Sequence, residues 1–297
     1  MIATRHCGYC AIVGRPNVGK STLLNRLIGQ KLAITSSKPQ TTRHSIIGVK
    51  TRDEGQIVYV DTPGIHQRGD QAMNRYLNQT ARAVLHDVHL ILFVVEAMRW
   101  TAEDQSVLLS VATAKIPVIL VVSKVDRIRE KTKLLPFLAE ITDRHGFADV
   151  FPVSAKNGHN LESMELAILR LLPTGENLFP EDQLTDRSER FFAAELIREQ
   201  LTRRYAKEIP YALTVEIEKF EEQAGLYRIN ALVWVEREGQ RSILIGSKGE
   251  ALKEVATHAR IAMEKLFGRR VYLEVWVKIK RSWSSDEKAL ISLGYCD

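Results

Sequence analysis

Two glycines and a lysine near the start of the chain have the spacing of a phosphate-binding loop. Gly14–Ser21 fits the pattern G-x-x-x-x-G-K-[ST], directly after an apolar run and at the start of a helical stretch. In that setting backbone N–H groups surround the phosphates, Lys20 reaches the terminal phosphates, and the Ser21 hydroxyl can bind Mg²⁺. The residues assigned to this site are Gly14, Arg15, Pro16, Asn17, Val18, Gly19, Lys20, Ser21 and Thr22. The sequence therefore predicts a nucleotide site.

Three further short motifs each follow an apolar run, and they indicate which base is bound. They are Asp61-Thr62-Pro63-Gly64 with the following Ile65, Ser123-Lys124-Val125-Asp126, and Ser154-Ala155-Lys156. Asp61 can hold Mg²⁺ through water, and Asp126 can accept two hydrogen bonds from guanine N1–H and its amine, which adenine does not offer. A lone Asp after a strand is usually a turn or cap residue. Together with the phosphate loop, these three make four motifs in this order, at the places where open α/β sheets bind ligands. The combination predicts a guanine nucleotide.

A second glycine-containing loop lies in the last third of the chain. Gly246-Ser247-Lys248-Gly249 precedes an amphipathic helical stretch, and a G-x-x-G loop of this kind can approach an RNA backbone closely. Such a loop is also common in ordinary turns. The candidate RNA contacts are Gly246, Ser247, Lys248, Gly249, Arg241, Lys253, Lys278 and Lys280. For the basic residues other than Lys248, a solvated face explains the sequence equally well.

The elements that position the nucleotide motifs alternate between strand and helix. Strands are predicted at Tyr9–Val13, Gln56–Val60, His89–Val95, Pro117–Val122 and Val150–Val153. Helices are predicted to begin near Lys20, Gln71, Ala102, Glu130 and Leu161. This alternation indicates βαβ units and an α/β domain with a mostly parallel sheet.

The pattern changes after residue 172, and we expect a domain boundary there. Residues 1–172 are assigned to the nucleotide domain, the polar stretch 173–186 to a linker, and 187–297 to a smaller α+β domain with a basic C-terminal segment. In this second part we expect a helix, two alternating strands, a short apolar strand at Ile243–Ile245, the G-x-x-G loop, a helix and a last strand over Val271–Ile279.

Composition agrees with two folded domains and excludes several classes of protein. The chain has 297 residues, of which 45% are hydrophobic and 26% charged, which excludes a disordered chain, a collagen and a coiled-coil rod. The net charge of +6 is compatible with an anionic partner. The cysteines are Cys7, Cys10 and Cys296, and the single Cys-x-x-Cys lacks the second pair of a zinc site. With no apolar stretch typical of a secretory signal or a membrane span, we expect reduced thiols and a cytoplasmic location.

The four nucleotide motifs, the stretch Pro180–Arg187 and the G-x-x-G loop together resemble a known family. Residues 1–172 look like a translation-factor-class GTPase domain, and the whole chain resembles the Era family of bacterial ribosome-assembly GTPases. The last third resembles a type-II KH domain. The resemblance implies a GTP-hydrolysing switch with slow intrinsic turnover. It also implies binding near the 3′ end of small-subunit (16S) ribosomal RNA and a role in small-subunit assembly.

The resemblance also assigns cofactors and partners. It implies a first switch loop around Gln40–Arg43, with Thr42 as a Mg²⁺ ligand beside Ser21 and Asp61, and a K⁺ ion held with the help of Asn17. It further implies a peripheral contact with the inner face of the cell membrane. No obligate protein partner is evident from the sequence, and we expect a monomer. The sequence itself shows no membrane anchor or lipidation signal.

Two departures from the family pattern support an alternative function. Ser123 stands where the family usually has Asn, which in that family contacts the base and braces the phosphate loop. The loss of one neutral hydrogen bond costs about 0.5–1.5 kcal/mol. Ile65 stands where many small GTPases have a water-orienting Gln. The alternative is an RNA-binding scaffold whose nucleotide domain binds GTP but scarcely hydrolyses it. An adenine-nucleotide kinase is disfavoured, because Lys124 and Asp126 suit guanine.

Overall fold

The computed structural model describes residues 5–36, 38, 40–64, 72–205 and 209–295. These residues divide into two compact units. The first contains the described residues of 5–33, 42–64 and 74–186, and the second contains those of 34–41, 72–73 and 187–295. Each unit has its own sheet, so each is described by itself.

The first unit is built on a six-stranded sheet whose strand order is β2-β3-β1-β4-β5-β6. The strands are β1 (His6–Val13), β2 (Ile46–Arg52), β3 (Gly55–Asp61), β4 (Leu90–Glu96), β5 (Val118–Ser123) and β6 (Asp149–Pro152). All neighbouring pairs are parallel except β2 and β3, which are antiparallel. Strand β5 is buried along its whole length, so both faces of the sheet are covered at its centre. The expected α/β fold with a mostly parallel sheet is confirmed.

The helices of the first unit connect these strands. They are α1 (Lys20–Ile28), α2 (Ala72–Ala83), α3 (Ala102–Ala112), α4 (Leu134–Thr142) and α5 (Leu161–Leu171). Helix α3 has a capping box, in which Thr101 accepts from the Asp104 N–H and the Asp104 carboxylate accepts from the Thr101 N–H. The turns that follow the parallel strands lie at one edge of the sheet, where the predicted nucleotide motifs are found.

Strand β2 was not among the predicted strands. It contains Gly48 and ends in the polar residues Lys50, Thr51 and Arg52, so its apolar pattern is weak. Its extended conformation comes from antiparallel pairing with β3, with Arg52 opposite Gly55. A tight turn at Asp53 and Glu54 joins the two strands.

Residues 173–186, which we expected to be a linker, lie along the first unit. The Cys7 N–H donates to the Pro173 carbonyl over 2.9 Å, and the Val49 N–H of strand β2 donates to the Leu184 carbonyl over 2.8 Å. The buried Gln56 side chain accepts from the N–H groups of Leu178 and Phe179, each over 2.9 Å. Hydrogen bonding at several points therefore holds this segment against the sheet.

The second unit has a three-stranded sheet with the order β7-β8-β9. Its strands are β7 (Leu213–Gln223), β8 (Leu226–Val235) and β9 (Arg270–Ile279), and its helices are α6 (Glu189–Arg204), α7 (Glu238–Ile245), α8 (Glu250–Phe267) and α9 (Glu287–Ser292). Strand β7 is antiparallel to β8, and β8 is parallel to β9. Alternate strand residues pack with apolar residues of α6 and α8 in one core, which includes Ile197, Ile229, Val255 and Val277.

The prediction of a short apolar strand at Ile243–Ile245 is wrong, because these residues end helix α7. The Gln240 side chain caps the start of that helix by accepting from the N–H groups of Glu236 and Arg237, over 2.9 and 3.0 Å. Leu244 is fully buried, whereas Ile243 is exposed. Three consecutive apolar residues do not distinguish strand from helix without such partners.

The described residues of 34–41 belong to the second unit, although the sequence assigned them to the first domain. The buried Glu199 of α6 accepts from the Thr35 N–H over 3.0 Å, and the buried Arg198 donates to the Thr41 carbonyl. Lys38 donates to the carbonyls of Thr202 and Tyr205 at the end of the same helix. The partners of this segment lie more than 150 positions away, so its sequence alone does not reveal them.

The C-terminal residues complete the second unit. Trp283 is fully buried, stacks against Tyr295 and donates to the Ala212 carbonyl over 3.2 Å. Trp276, by contrast, lies on the sheet face away from α6 and α8 and is 43% exposed. In the described part of the chain, no helix has the length and apolar character that crossing a membrane requires.

Candidate nucleotide-binding and RNA-binding sites

The predicted phosphate loop joins β1 to α1. Asn17 and Gly19 both have left-handed backbone conformations, with φ of 65° and 107°. Such a turn directs successive N–H groups to one side and forms a concave anion site. The buried Lys20 donates to the Gly14 carbonyl over 2.8 Å and to the Arg15 carbonyl over 3.0 Å. These two hydrogen bonds hold the Lys20 ammonium group against the backbone of the predicted phosphate loop.

Burial changes the ionisation of this lysine. Removal from water lowers the pKa of Lys20 to about 8, and the nearby Asp61 opposes part of that shift. A bound phosphate adds negative charge next to the ammonium group and favours its charged form. The loop is therefore electrostatically matched to a polyanion.

Oxygen atoms from three parts of the chain meet beside the loop. Asp61 Oδ2 accepts from Ser21 Oγ over 2.8 Å and from Thr42 Oγ1 over 3.5 Å, and the two hydroxyl oxygens lie 2.8 Å apart. The other carboxylate oxygen, Asp61 Oδ1, is buried without a hydrogen-bond partner in the described structure. Carboxylate and hydroxyl oxygens are ligands suited to Mg²⁺, and an unsatisfied buried carboxylate oxygen fits a cation. The described residues contain no cluster of His, Cys, Asp and Glu for another type of metal site.

The carboxylate of Asp61 is costly to ionise in the absence of a cation. Burial raises its pKa from 3.8 to about 6, while Lys20, Ser21 and Thr42 act in the opposite direction. The folded state therefore binds the Asp61 proton more tightly than the unfolded state does. The free energy of unfolding accordingly falls as the pH rises from about 4 to 6.

Replacement of Asp61 by Asn is expected to remove this pH dependence. Without nucleotide and magnesium, the stability of the variant relative to the native chain should increase by about 2 kcal/mol between pH 4.5 and 7. In this size range that is roughly 4–8 °C in the unfolding midpoint. Thermal unfolding in the presence of EDTA measures the difference at each pH.

Asp53→Asn is the matched control, because Asp53 is exposed in the turn between β2 and β3. Its unfolding midpoint should follow the native chain at every pH. A parallel pH dependence of Asp61→Asn and the native chain would contradict the raised pKa of Asp61.

The side chain of Arg15 is turned into the protein. Its Nε donates to Asp104 Oδ2 over 3.0 Å and its Nη2 to Glu96 Oε2 over 3.1 Å, and the side chain is 5% exposed. Arg15 therefore braces the loop through its guanidinium and does not direct it at a phosphate. Sequence reasoning missed Glu96 and Asp104, which are more than 80 positions from Arg15. The only signal was a carboxylate directly after the apolar run Leu90–Val95.

The base-reading motif is tied to the phosphate loop at two points. Lys124 Nζ donates to the Asn17 carbonyl over 2.6 Å and to Glu96 Oε1 over 2.9 Å. Ser123 Oγ lies 2.6 Å from the Val18 carbonyl oxygen. Ser123 thus makes the contact with the phosphate loop that the family resemblance assigns to the usual Asn.

Asp126 is exposed to solvent, so a ligand can reach its carboxylate. Ser154 Oγ donates to Asp126 Oδ1 over 2.7 Å, which fixes the orientation of the carboxylate. A carboxylate has about four acceptor positions, so most remain open. Ala155 and Lys156 follow Ser154 at the end of the next strand. The structure therefore brings the motifs at 123–126 and 154–156 together. In this position Asp126 can accept hydrogen bonds from the donor groups of a base.

The remaining predicted nucleotide residues lie nearby. A Cβ atom added to Gly64 would lie 2.9 Å from Pro16 Cγ, so this glycine approaches the phosphate loop closely. Thr62 is buried and donates to the Ile12 carbonyl over 2.9 Å. Pro63 lies between Thr62 and Gly64, Thr22 is exposed on α1, and Val125 is half-buried. Ile65 lies outside the described residues.

The G-x-x-G loop joins α7 to α8 in the second unit. Gly246 has φ 72° and ψ −177°, a conformation open almost only to glycine, and a Cβ atom there would lie 2.6 Å from Ala251 Cβ. Ser247 and Lys248 are exposed at the tip of the loop. Helix α8 begins at Glu250, so its N-terminal N–H groups lie beside Lys248. The N-terminal end of this helix and an exposed cation suit a phosphate.

The other predicted RNA contacts fall into two groups. Arg241 and Lys253 are exposed on α7 and α8, the helices that flank the loop, and Arg241 pairs with Glu238 over 3.0 Å. Lys278 shares its sheet face with Trp276, away from the helices, and its ammonium lies 3.7 Å from Glu218. Lys280 donates to Ser292 Oγ over 2.9 Å. The loop, Arg241 and Lys253 therefore lie on neighbouring elements, while Lys278 lies on the opposite face of the sheet.

Comparison with known proteins agrees with this arrangement. A family model described as "50S ribosome-binding GTPase" matches residues 9–124, and one described as "KH domain" matches residues 208–284. A curated relative, GTPase Era of Pseudomonas aeruginosa (strain LESB58), is 55% identical over 295 residues, which is 99% of this chain and 97% of the relative. The chain belongs to the Era family of GTPases. GTPase Era of Azotobacter vinelandii is also 55% identical, over 98% of this chain and 97% of its own length.

Solved structures of Era proteins have the same fold over their full length. A crystal structure of an Aquifex aeolicus Era variant bound to GDP and AlF₄⁻ has a TM-score of 0.95 and 37% identity, and the match covers 98% of this chain and 100% of that one. An Era complex with MgGDPNP and nucleotides 1506–1542 of 16S ribosomal RNA has the same TM-score and identity, and the match covers 99% and 100%.

Membership of the Era family establishes the activity of the first unit. The chain is a GTPase that converts GTP to GDP and phosphate, and its second unit is a KH domain. The expectations of guanine-nucleotide binding and of a KH domain are thus confirmed. The alternative of a scaffold that scarcely hydrolyses GTP has no support from these relatives.

Proposed function

We propose that this chain is a GTP-controlled switch that binds the 3′ end of 16S ribosomal RNA and acts in assembly of the small ribosomal subunit. The main support is the full-length match to an Era protein solved with MgGDPNP and that RNA segment. The candidate nucleotide site and the candidate RNA-binding loop belong to separate units of the chain. Binding of GTP is expected to order the loop around Thr42 and to favour one state of the KH domain for RNA.

In the nucleotide site, each residue has a distinct task. Lys20 stabilises charge on the β- and γ-phosphates, and the loop N–H groups orient them. Asp126, fixed by Ser154, selects guanine. Arg15 and Lys124 keep the phosphate loop and the base site in register through their shared partner Glu96.

Ser21 and Thr42, with Asp61 acting through water, are proposed to hold Mg²⁺, which would supply a positive charge beside the phosphates. The unsatisfied Asp61 Oδ1 fits this role. With Mg²⁺ bound, the Ser21 and Thr42 hydroxyl oxygens would face the cation instead of the carboxylate, and the positive charge would favour the ionised form of Asp61. These residues require no change in fold, since their oxygen atoms already lie together.

The ribosomal partner is best tested by comparing both subunits. The matched family description names the 50S subunit, whereas the solved Era complex contains 16S RNA. The full-length match favours the small subunit. We expect the chain with a non-hydrolysable GTP analogue to bind an RNA corresponding to nucleotides 1506–1542 at least about tenfold more tightly than with GDP, and to co-sediment with 30S rather than 50S particles.

A shuffled RNA of the same length and composition is the control for that experiment. It should bind weakly and without dependence on the nucleotide, through charge alone. Equal affinity for the two RNAs, or preferential binding to 50S particles, would refute the proposed partner and leave the GTPase activity unaffected.

A potassium ion is proposed as a second cation of the hydrolysis reaction. Asn17 is exposed in the phosphate loop, where its side-chain oxygen can help to hold a cation against the phosphates. Such a charge stabilises the transition state as an arginine finger does. We expect turnover to be about tenfold faster in KCl than in NaCl of equal concentration, and Asn17→Gly to remove this difference.

Glycine is the suitable substitution because position 17 has a left-handed backbone, which glycine adopts without strain. Affinity for GDP should change by no more than about threefold in the variant. Equal rates of the native chain in potassium and sodium would show that no such ion takes part.

We propose a cytoplasmic location and a monomeric state. Support for the location comes from the free and buried cysteines Cys7 and Cys10, since thiols persist in a reducing compartment. A peripheral contact with the inner face of the cell membrane stays a prediction from the family resemblance. Cell fractionation and sedimentation equilibrium test these three points.

A further inference from the structure

The Ser123 hydroxyl is enclosed by the protein itself. Its Oγ lies 2.6 Å from the Val18 carbonyl oxygen and 2.9 Å from the Val95 carbonyl oxygen, and the residue is buried. A serine hydroxyl carries one proton, and both neighbouring oxygens are acceptors. The proton is therefore committed to these two carbonyls, and none is left to donate to a third acceptor.

Guanine presents two kinds of group to a protein. Its N1–H and amine are donors, which suit the Asp126 carboxylate, whereas N7 and O6 are acceptors and require a donor. The side-chain donors of Lys124 and Ser154, which lie near Asp126, both make hydrogen bonds within the protein. Lys124 donates to the Asn17 carbonyl and to Glu96, and Ser154 donates to Asp126 itself.

Backbone groups provide the remaining donors near the base. The N–H groups of Ala155 and Lys156 form no hydrogen bond with another described residue, and they come directly after Ser154. They can serve the O6 acceptor, since they belong to the motif that holds Asp126. Guanine N7 lies beside O6 on the same edge of the base and requires a donor of its own, which Ser123 does not supply.

We infer that this GTPase recognises guanine without reading N7, and that Ser123 is a positioning residue for the phosphate loop. Discrimination against adenine then depends on Asp126, with no contribution from a side-chain donor at position 123. The inference rests on GTP binding, which family membership establishes, and is independent of the proposed RNA partner.

Nucleotides that lack N7 test this directly. We expect the full-length chain with Mg²⁺ to bind GTP and 7-deaza-GTP with dissociation constants within about twofold. Ser123→Ala should weaken both nucleotides equally, because it removes the contact with Val18 but no contact with the base. Ser123→Asn adds an amide with two donors and a longer reach. It should tighten GTP binding by about three- to tenfold and leave 7-deaza-GTP unchanged.

Three outcomes would overturn the inference. One is a loss of more than about fivefold for 7-deaza-GTP with the native chain, which would reveal a donor to N7, such as the exposed Lys156. Another is a Ser123→Ala variant that binds GTP more weakly than the native chain does but binds 7-deaza-GTP equally well. The third is a Ser123→Asn variant that tightens both nucleotides alike. The native chain and Ser123→Ala decide the matter even if the larger Asn side chain prevents folding, which thermal unfolding would reveal.

Discussion

Replacement of Asp126 by Asn is expected to weaken GTP binding by about 10²–10⁴-fold. In the proposed site Asp126 accepts two hydrogen bonds from guanine, and a hydrogen bond to a charged group contributes about 1.5–3 kcal/mol. An Asn side chain has one acceptor and one donor group, so its amide faces the guanine amine donor to donor. The penalty is large here because Ser123 and Lys124 are committed to the phosphate loop and cannot compensate.

The same substitution should create affinity for a different base. Xanthine has a carbonyl oxygen where guanine has its amine, and this oxygen accepts from the Asn amide. We therefore expect Asp126→Asn to bind xanthosine triphosphate more tightly than GTP, with Ser154 still able to donate to the side-chain oxygen. Equilibrium titration with GTP and xanthosine triphosphate measures this change of base specificity. A variant that binds neither, although its thermal unfolding is native-like, would contradict the role of Asp126.

The second large effect is expected in the RNA loop. Replacing Ser247 and Lys248 together by Asp should weaken binding of the 16S RNA fragment by about 100-fold, because the loop tip loses a cation and gains two anions. Asp tolerates the left-handed conformation of Lys248, whose φ is 50°, so the backbone of the loop should persist. The measurement is a titration of labelled RNA at several salt concentrations, where the salt dependence should also become shallower.

Lys265→Asp supplies the control on helix α8, with a charge change of two units against three for the double variant. Lys265 is exposed near the end of α8, roughly 20 Å along the helix axis from the loop. This variant should retain RNA affinity within about threefold. If both variants lost affinity equally, general charge rather than the G-x-x-G loop would hold the RNA.

The nucleotide site was predictable where its function depends on local backbone and short motifs. The phosphate loop, Asp61, Asp126 and the segment after Ser154 each come directly after a strand, and parallel strands place such turns at one edge. These features require only the order of strands and the chemistry of each residue. The role of position 123 as a brace, by contrast, came from the family resemblance.

Other features depend on partners distant in sequence and could not be predicted. The inward direction of Arg15 is set by Glu96 and Asp104 on other elements. Strand β2 is extended because it pairs with β3, and α7 is helical because Gln240 caps its start. The position of Thr42 beside Ser21 came from the family resemblance, and the residues alone identified only a loop hydroxyl.

The hydrogen bond between Val49 and Leu184 has a consequence for solubility. Strand β2 is at the edge of the six-stranded sheet, and a free edge is a template on which another chain can add a strand. Because residues 173–186 lie along the first unit and Leu184 accepts from the Val49 N–H, part of that edge is occupied. The segment between the domains thereby also protects the nucleotide domain against edge-to-edge aggregation.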